Sequence, residues 1–289
     1  MIIKIIWLLS YPFLKILNIL GVKRLYQIGK YRIYLDFTHK LPIYQKQYPY
    51  YDKFLPLLVK NLPKNSLVID IGANVGDTLA AMVSANNKLR YFCIEADRHF
   101  FILLKKNIDL INRQEKKLNI KALEYLVGKN IKSVSLKGNS STKTIVKEGT
   151  INSQPLSKIL KDENIPPKFI SLIKTDVDGY DYDVIRSTFD SLENKPYIFF
   201  ECQYDYKSQL SQFKKLFKEL QKLGYYNFVF FDNYGQFITT LKDLKTIYEL
   251  LNYVANQNFS LSTRSIYYYD ILACTDQKLL ELKKILQSY

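Results

Sequence analysis

The spacing of apolar residues predicts strands and helices in alternation from residue 66 onward. Short apolar runs with the length of buried strands lie at 66–71, 89–95, 120–127, 169–175 and 197–202. Segments with helical periodicity lie between and after them, at 77–85, 99–111, 182–189 and 208–223. Strands separated by helices predict a Rossmann-like α/β fold, in which a mainly parallel sheet carries helices on both faces.

The two ends of the chain depart from this alternation. Before the alternation, the pattern predicts a strand at 31–37 and a helix at 50–61. Within the alternation, it predicts a polar loop or hairpin at 128–157. After it come a predicted hairpin at 225–231 and 235–239, a helix at 241–253, a strand at 265–273 and a helix at 277–286. We therefore expect a helical and strand extension over 1–49, then one domain over 50–289 with core motifs in 66–205 and an antiparallel C-terminal addition.

The first 20 residues are unusually apolar, although Lys4, Pro12 and Lys15 interrupt them. No uninterrupted run approaches the ~20 residues that span a bilayer, and no small-residue cleavage site of a secretory signal follows. A helix over 1–20 has a wide apolar face, which suits two kinds of partner. It can pack on protein, either this chain's own core or a second subunit, or it can lie on the inner membrane face as part of a cytoplasmic protein.

Composition changes this picture only modestly. The net charge of +15 attracts anions such as nucleic acid, anionic lipid or phosphorylated substrates. However, the lysines are scattered, arginines are few and no dense basic run occurs, so nucleic acid is a disfavoured partner. Cys93, Cys202 and Cys274 each lie in an apolar run without the spacing of a zinc site, which predicts buried free thiols in a reducing compartment.

The first strand–loop–helix unit contains a candidate ligand loop, Val68-Ile69-Asp70-Ile71-Gly72-Ala73-Asn74-Val75-Gly76. In an open α/β sheet, ligands bind at the carboxyl ends of the strands, where the strand order reverses. Gly72 permits a tight turn, and Gly76 permits close packing at the helix start. Asp70 can accept hydrogen bonds from loop amides or from a cationic amino group.

This loop departs from the dinucleotide fingerprint G-x-G-x-x-G. Asn74 replaces its second glycine and Asp77 its third, and the charge of Asp77 opposes a pyrophosphate at the helix N-terminus. The next strand ends in Glu95, about 20 residues past the loop, where a carboxylate can clasp two ribose hydroxyls. Loop and acid together predict a nucleoside site for a ligand without phosphate and with a cationic sulfonium and amino group.

These residues resemble the FkbM-type family of methyltransferases, within the Rossmann-like enzymes that use S-adenosylmethionine. The resemblance is most specific at Leu172-Ile173-Lys174-Thr175-Asp176-Val177-Asp178-Gly179-Tyr180-Asp181, and the family more often has Glu at the positions of Asp178 and Asp181. Further matching segments lie at 68–76, 94–97, 103–107, 126–128, 184–186 and 198–201. The resemblance covers roughly residues 50–205.

The resemblance implies S-adenosylmethionine as the cofactor. With the loop analysis above, it gives the expected cofactor-binding residues as Asp70, Gly72, Ala73, Asn74, Gly76, Glu95, Ala96, Val127, Gly128 and Asp176. Among these, the resemblance implies that the glycine loop lines the methionine part and Glu95 the ribose. It also implies that Val127 and Gly128 lie near the adenine, and Asp176 near the sulfonium.

Three acids are the candidate catalytic residues, because methyl transfer to a hydroxyl needs alignment and the removal of a proton. Asp176, Asp178 and Glu201 come from the carboxyl ends of adjacent predicted strands. The same three acids could hold a hard cation such as Mg²⁺. The alternative for Asp178, and for Asp181, is capping of the helix that begins near Tyr180.

Histidine is scarce in this chain, which contains only His39 and His99. His99 follows the predicted ribose-binding strand, on the wrong side of the cofactor for a general base. His39 reaches the site only if the N-terminal segment folds over it. A carboxylate, a tyrosine or a metal-bound alkoxide is therefore the expected base.

We expect an enzyme that methylates a hydroxyl of a small molecule or glycan, and the resemblance implies sugars of surface polysaccharides or glycolipids, or secondary metabolites. Two other functions stay open. One is a nucleic-acid methyltransferase, which charge alone favours, since the Asn-Pro-Pro-Tyr type of motif is absent. The other is a non-catalytic nucleoside-binding or membrane-docking protein.

Overall fold

The computed structural model describes residues 12–129, 134–138, 143–147, 151–260 and 265–289. Within them the strands are β1 (Arg24–Ile28), β2 (Tyr31–Leu35), β3 (Leu67–Ile71), β4 (Arg90–Glu95), β5 (Asn119–Glu124), β6 (Val134–Gly138), β7 (Lys143–Lys147), β8 (Ile170–Thr175), β9 (Tyr197–Cys202), β10 (Asn227–Asp232), β11 (Phe237–Leu241) and β12 (Tyr269–Cys274). The helices are α1 (12–19), α2 (Leu41–Gln47), α3 (Phe54–Lys60), α4 (Asp77–Ala85), α5 (Arg98–Gln114), α6 (Leu156–Asp162), α7 (Asp181–Ser187), α8 (Lys207–Lys222), α9 (Leu244–Ser260) and α10 (Asp276–Gln287). The first part of the predicted apolar segment 1–20 and parts of the predicted loop 128–157 lie outside the described residues.

Eight strands form one sheet in the order β11-β10-β12-β9-β8-β3-β4-β5. The five strands from β9 to β5 in this order pair in parallel, and β12, β10 and β11 add antiparallel pairs at the other edge. The mainly parallel Rossmann-like sheet and its antiparallel C-terminal addition are therefore confirmed. The chain runs from β3 to β5 in one direction and resumes at β8 on the other side of β3, so strand order reverses between β3 and β8.

Both faces of the sheet are covered because successive residues of a strand point to opposite sides. All five residues of β3 are buried, with Val68 in the layer of α3, α4, α5 and α10, and Ile69 in the layer of α6 to α9. Each large apolar side chain buried in this way contributes about 1.5–3 kcal/mol. The three cysteines are free and buried, as predicted.

The N-terminal region before β3 differs most from the prediction. The strand predicted at 31–37 is confirmed as β2, but its partner β1 and the helix α2 did not emerge from the sequence pattern. Apolar residues of β1, β2 and α2 share the core of α3, α4 and α5. The helix predicted from residue 50 begins only at Phe54, because Asp52 has a left-handed φ of 57° that interrupts helical geometry. This turn places residues 50–53 at the carboxyl-end edge of the sheet.

Helix α1 packs against the turn that follows β2. The Asn18 side chain donates to Thr38 Oγ1 at 2.6 Å, and its Oδ1 accepts the Phe37 amide at 2.7 Å. The other face of α1 exposes Phe13, Ile16, Ile19 and Leu20. Across the described ranges of the chain, no helix combines the length and apolar character needed to cross a membrane.

Candidate active site

The loops after β3 and β8 lie side by side where the strand order reverses. The Asp176 amide donates to the Ile71 carbonyl at 3.1 Å, which continues the pairing of the two strands. Gly72 then turns away with a φ of 75°, and a Cβ at this position would lie 2.1 Å from the Asp176 carbonyl oxygen. Only glycine permits both this conformation and so close an approach of the two loops.

Glu95, at the end of β4, fastens the loop after β3. Its Oε2 accepts the Asn74 amide at 2.7 Å, and its Oε1 accepts the Asp97 amide at 2.8 Å. Burial raises the pKa of the Glu95 carboxyl to about 7, although the two amides oppose this shift. Because a carboxylate offers about four acceptor sites, Glu95 keeps capacity for two further donors such as the hydroxyls of a ribose.

A cleft with about 630 Å³ of empty space, open to solvent, lies in front of these loops, and we call it the β3–β4 cleft. Of the expected cofactor-binding residues, it is lined by Gly72, Asn74, Glu95, Ala96, Val127 and Asp176. Apolar side chains such as Ile94 and Phe100 form much of the remaining wall. No lysine, arginine or histidine is among the described residues that line it. A phosphate would therefore meet no cation in this lining. A nucleoside with a cationic group instead matches the apolar wall, the acidic side chains and the backbone of the glycine loop.

The other expected cofactor residues lie behind the wall of the β3–β4 cleft. Ala73 is buried, and Gly76 allows α5 to approach, since a Cβ there would lie 2.7 Å from Leu104 Cδ1. The Gly128 amide donates to the Gln154 carbonyl at 3.1 Å. These residues shape the loops that carry the lining.

Asp70 forms an ion pair with the buried Lys174, a residue for which the sequence predicted no role. Lys174 Nζ lies 3.0 Å from Asp70 Oδ1 and 3.6 Å from Asp176 Oδ2, and it donates to the Gly72 carbonyl at 3.2 Å. Burial alone would lower the pKa of Lys174, but the charges of Asp70 and Asp176 outweigh it and raise this pKa above its usual range. Lys174 is therefore an ammonium, and its contacts with Gly72 and Asp176 connect the loops after β3 and β8.

The structure separates the roles of Asp178 and Asp181. Asp181 is fully buried, and its carboxylate accepts from Thr175 Oγ1 at 2.6 Å and from the Val177 amide at 3.4 Å. Burial raises the pKa of this carboxyl to about 7. The N-cap residue of α7 is Tyr180, and Asp181 lies in the first turn of this helix, where an acidic side chain is favourable. Asp178 has a left-handed φ of 52° and lines the β3–β4 cleft, a strained conformation typical of functional sites.

A second cleft adjoins the first on the side of β9 and β12. It consists of two connected cavities with about 1070 and 560 Å³ of empty space, and we call it the β9–β12 cleft. Its lining includes Asp176, Glu201 and Lys174, together with residues that sequence analysis missed, namely Tyr51, Asp52, Tyr268 and Asp270. Asp270 resembles Glu201 in that each is an acid inside an apolar strand, and this signal in the sequence could have marked Asp270.

His39 meets the condition set for it, because the N-terminal segment folds over the site and His39 lines the β9–β12 cleft. Its Nδ1 accepts the Leu41 amide at 3.3 Å, which places the imidazole proton on Nε2. Burial lowers the pKa of His39, so the ring is neutral at pH 7. In this tautomer His39 can donate a hydrogen bond to a ligand but cannot accept a proton at Nε2.

The predicted Mg²⁺ site is not supported. Among the described residues, no group of three or more His, Cys, Asp or Glu side chains is arranged to hold a metal ion. The physical reason lies in Lys174, whose ammonium already occupies the position between Asp70 and Asp176 where a cation would balance these acids. Glu201 lies on β9 and makes no ion pair with this cluster.

Comparison with known proteins assigns the chain to a family. Solved structures at low identity include methyltransferase FkbM from Methylobacillus flagellatus KT, 13% identical with a TM-score of 0.38, over 81% of this chain and 58% of that chain. The precorrin-6y C5,15-methyltransferase from Geobacter metallireducens GS-15 is 12% identical with a TM-score of 0.41, over 77% of this chain and 86% of that one. An O-methyltransferase from Bacillus cereus in complex with SAH is 10% identical with a TM-score of 0.44, over 78% and 80%.

No curated protein sequence matches the chain. The decisive finding is a family model, the methyltransferase FkbM domain, which matches residues 70–226, more than half of the chain. This range begins at Asp70 in β3 and includes Glu95, Lys174 and Asp176. The predicted family is therefore confirmed: the chain belongs to the FkbM family of S-adenosylmethionine-dependent methyltransferases.

Proposed function

We propose that this enzyme methylates a sugar hydroxyl of a surface polysaccharide or glycolipid precursor. The observation that carries the proposal is the position of Asp176, whose half-exposed carboxylate lines both the β3–β4 cleft and the β9–β12 cleft. A methyl donor in the first cleft and an acceptor in the second would meet at this residue. Such proximity is the main requirement of a methyl transfer.

In the β3–β4 cleft, Glu95 would hold the ribose and the loop from Gly72 to Asn74 the methionine part of S-adenosylmethionine. The bound cofactor would supply a methyl group on a sulfonium, so that a C–O bond to the acceptor forms as the C–S bond breaks and a neutral thioether leaves. The apolar wall beside Val127 would pack against the adenine and shield it from water once the cofactor is bound. The absence of basic residues from the described lining leaves the negative charge of Glu95 and Asp176 to attract the cationic donor.

Asp176 would take the proton of the acceptor hydroxyl. Its carboxylate lines the cleft, and Lys174 Nζ lies 3.6 Å from its Oδ2, so the neighbouring ammonium helps to position this acid. Asp178 and Glu201 line the same space and would orient the acceptor. A positioned general base contributes about 10²- to 10⁴-fold in rate.

The test combines cofactor binding with product analysis. Calorimetry should detect S-adenosylmethionine binding to wild type and to Asp176→Asn, whereas mass spectrometry of surface glycans should find methylated sugars only in cells with an active gene. Asp176→Asn should lower turnover about 10²- to 10⁴-fold. Turnover at the wild-type rate in Asp176→Asn, or glycans that are identical with and without the gene, would contradict the proposal.

The nucleic-acid alternative finds less support than the sugar. The β9–β12 cleft, where the acceptor would enter, is rich in carboxyl groups, which repel a phosphate backbone despite the net charge of +15. RNA or DNA that stays bound at high salt would favour this alternative instead. Cofactor binding without turnover on any glycan precursor would favour a non-catalytic protein.

We propose in addition that α1 lies on the inner membrane surface. Phe13, Ile16, Ile19 and Leu20 are 62%, 53%, 77% and 69% exposed, a contiguous apolar face on a strongly basic protein. Sedimentation with vesicles of phosphatidylglycerol should fall for Ile16→Glu/Ile19→Glu. Leu280→Glu is the matched control, since Leu280 is 66% exposed on α10. Unchanged sedimentation of the double variant, or a change in oligomeric state alone, would contradict this proposal.

A further inference from the structure

The β9–β12 cleft concentrates acidic side chains in a protein that is positive overall. Its lining contains six acids, Asp52, Asp77, Asp176, Asp178, Glu201 and Asp270, which come from segments far apart in the chain. The buried cation of this cleft, Lys174, is already shared by Asp70, Asp176 and the Gly72 carbonyl. Lys40 and Lys53 also line the cleft, but both are exposed to solvent.

Glu201 shows that this cleft is built for a ligand. The residue is only 8% exposed, and its Oε1 is buried without a hydrogen-bond partner among the described residues. A buried polar oxygen without a partner is costly, so it persists where a ligand or catalysis uses it. Because Glu201 lines both cavities of the cleft, the donor that satisfies Oε1 would come from a bound molecule.

Asp270 stands next to Glu201 across the sheet, since the two are register partners in the antiparallel pairing of β12 and β9. Burial and then the neighbouring acids raise the pKa of both carboxyls well above their usual values. These shifts favour the neutral form of each carboxyl, which can donate one hydrogen bond and accept others. Such groups match hydroxyls, which also donate and accept.

The remaining walls have the character of a site for a ring. Tyr51 and Tyr268 line both cavities, and burial raises the pKa of each phenol well above its usual value, so both stay neutral. Tyrosine combines a broad apolar face with one polar tip. A ring with apolar faces and hydroxyls around its edge meets both kinds of group at once.

We propose that the β9–β12 cleft binds the methyl acceptor through Glu201 and Asp270, and that the sugar ring it receives carries hydroxyls but no negatively charged group. This inference rests on the proposed sugar methylation and adds its charge selectivity and two specificity residues. A uronic acid or sugar phosphate would add an anion where burial and neighbouring acids already raise the pKa values of Glu201 and Asp270. A neutral hexose instead supplies the hydroxyl that Glu201 Oε1 lacks among the described residues.

The experiment uses matched probes on the full chain saturated with S-adenosylhomocysteine. Saturation-transfer NMR compares the methyl glycosides of glucose, galactose and mannose with the methyl glycosides of their uronic acids. At least one neutral glycoside should bind, about tenfold or more tightly than its uronide. Uronides that bind as well as the neutral glycosides, or a lack of binding by every neutral glycoside, would overturn the inference.

Two variants test the residues themselves. Glu201→Met and Asp270→Asn should each weaken the neutral glycoside about three- to tenfold, the value of one hydrogen bond, and leave the dissociation constant of S-adenosylhomocysteine unchanged. Asp205→Ala, an exposed acid beyond the end of β9, is the control and should bind both ligands as wild type does. Wild-type glycoside affinity in both variants would overturn the role of these two residues.

A stability measurement separates a ligand-binding role from a structural one. Because Glu201 is buried without a partner for Oε1, Glu201→Met should keep or raise the thermal midpoint of the ligand-free protein. A clear fall of that midpoint would assign Glu201 a structural role and overturn the inference. Failure of the proposed function is distinct, since it would appear as surface glycans that are identical with and without the gene.

Discussion

The β3–β4 cleft and the β9–β12 cleft share Asp176 but are formed by different parts of the chain. The first is made largely of backbone and short loops from one strand–helix–strand unit, with Glu95 as its central polar side chain. The second is made of side chains from the turn between α2 and α3, from β9 and from β12, with Asp52 and Asp270 more than two hundred positions apart in sequence. One cleft offers apolar walls without a basic residue in its described lining, and the other offers acids and tyrosines.

This difference fits the two partners of a methyl transfer. A cofactor is the same for every enzyme that uses it, so a compact loop that any sheet of this topology can carry is sufficient. An acceptor differs between enzymes, and side chains contributed by separate segments can change without disturbing the sheet. The two clefts should accordingly respond differently to substitution.

Loss of Lys174 should damage both clefts, because it supports their common wall. Lys174→Met leaves Asp70, whose side chain is 1% exposed, without its partner, and should cost about 3–5 kcal/mol in the free energy of unfolding. Urea unfolding followed by circular dichroism measures this cost. Asp70→Asn combined with Lys174→Met should recover part of it, since the uncompensated charge is removed.

Lys242→Met is the control for Lys174→Met, because it breaks an ion pair with Asp276 in which both side chains are more than half exposed. Exposed pairs contribute about 0–1 kcal/mol, so this variant should unfold nearly as wild type does. Equal costs for the two lysine variants would mean that Lys174 does not hold the wall between the clefts.

Gly72→Ala should come next in size, because the loops after β3 and β8 touch at this glycine. The left-handed φ of 75° costs about 1–2 kcal/mol for a residue with a Cβ, and the contact with the Asp176 carbonyl adds about 1–3 kcal/mol. Gly224→Ala has a φ of 89° but no atom within 4 Å of its Cβ, so it should lose only the first contribution. Thermal unfolding measures the loss of stability in each variant. Equal losses in the two variants would mean that the close approach of the loops at Gly72 does not contribute to stability.

The parts of the site that could be inferred from the sequence are those formed within one strand–helix–strand unit. The glycine turn and Glu95 are separated by one helix, so their meeting follows from the local strand–helix–strand pattern. Asp70 was expected to face the ligand, but its partner Lys174 lies on β8, and only the order of strands in the folded sheet brings them together. The β9–β12 cleft depends on contacts between distant segments, which apolar periodicity does not encode.

Glu95→Ala should affect the β3–β4 cleft alone. Hydrogen bonds to a charged group contribute about 1.5–3 kcal/mol, so S-adenosylmethionine should bind about 10- to 150-fold more weakly by calorimetry. Glu124→Ala is a matched control, because Glu124 is the register partner of Glu95 on β5 but forms an ion pair with Arg98 outside the cleft. Similar losses in both variants would place the ribose elsewhere.

The smallest expected effect is a pH dependence confined to the same cleft. The pKa of Glu95 is raised by burial to about 7 in the ligand-free fold, so its stabilising contribution is complete below the unfolded pKa and is lost as pH rises through about 7. Ribose hydroxyls favour the ionised form, and affinity for S-adenosylhomocysteine should therefore rise about tenfold between pH 6 and pH 8.

Calorimetry at both pH values tests this dependence in two variants. Glu95→Gln removes the titrating group and should flatten the profile, because its amide has the same charge at every pH in this range. Asp181→Asn removes another buried carboxyl with a pKa of about 7, but one bonded to Thr175, and should keep the full dependence. A wild-type profile that Asp181→Asn flattens and Glu95→Gln preserves would assign the titration to Asp181, at the start of α7, instead of to the ribose-binding acid. The pH would then act through the fold rather than through the cleft.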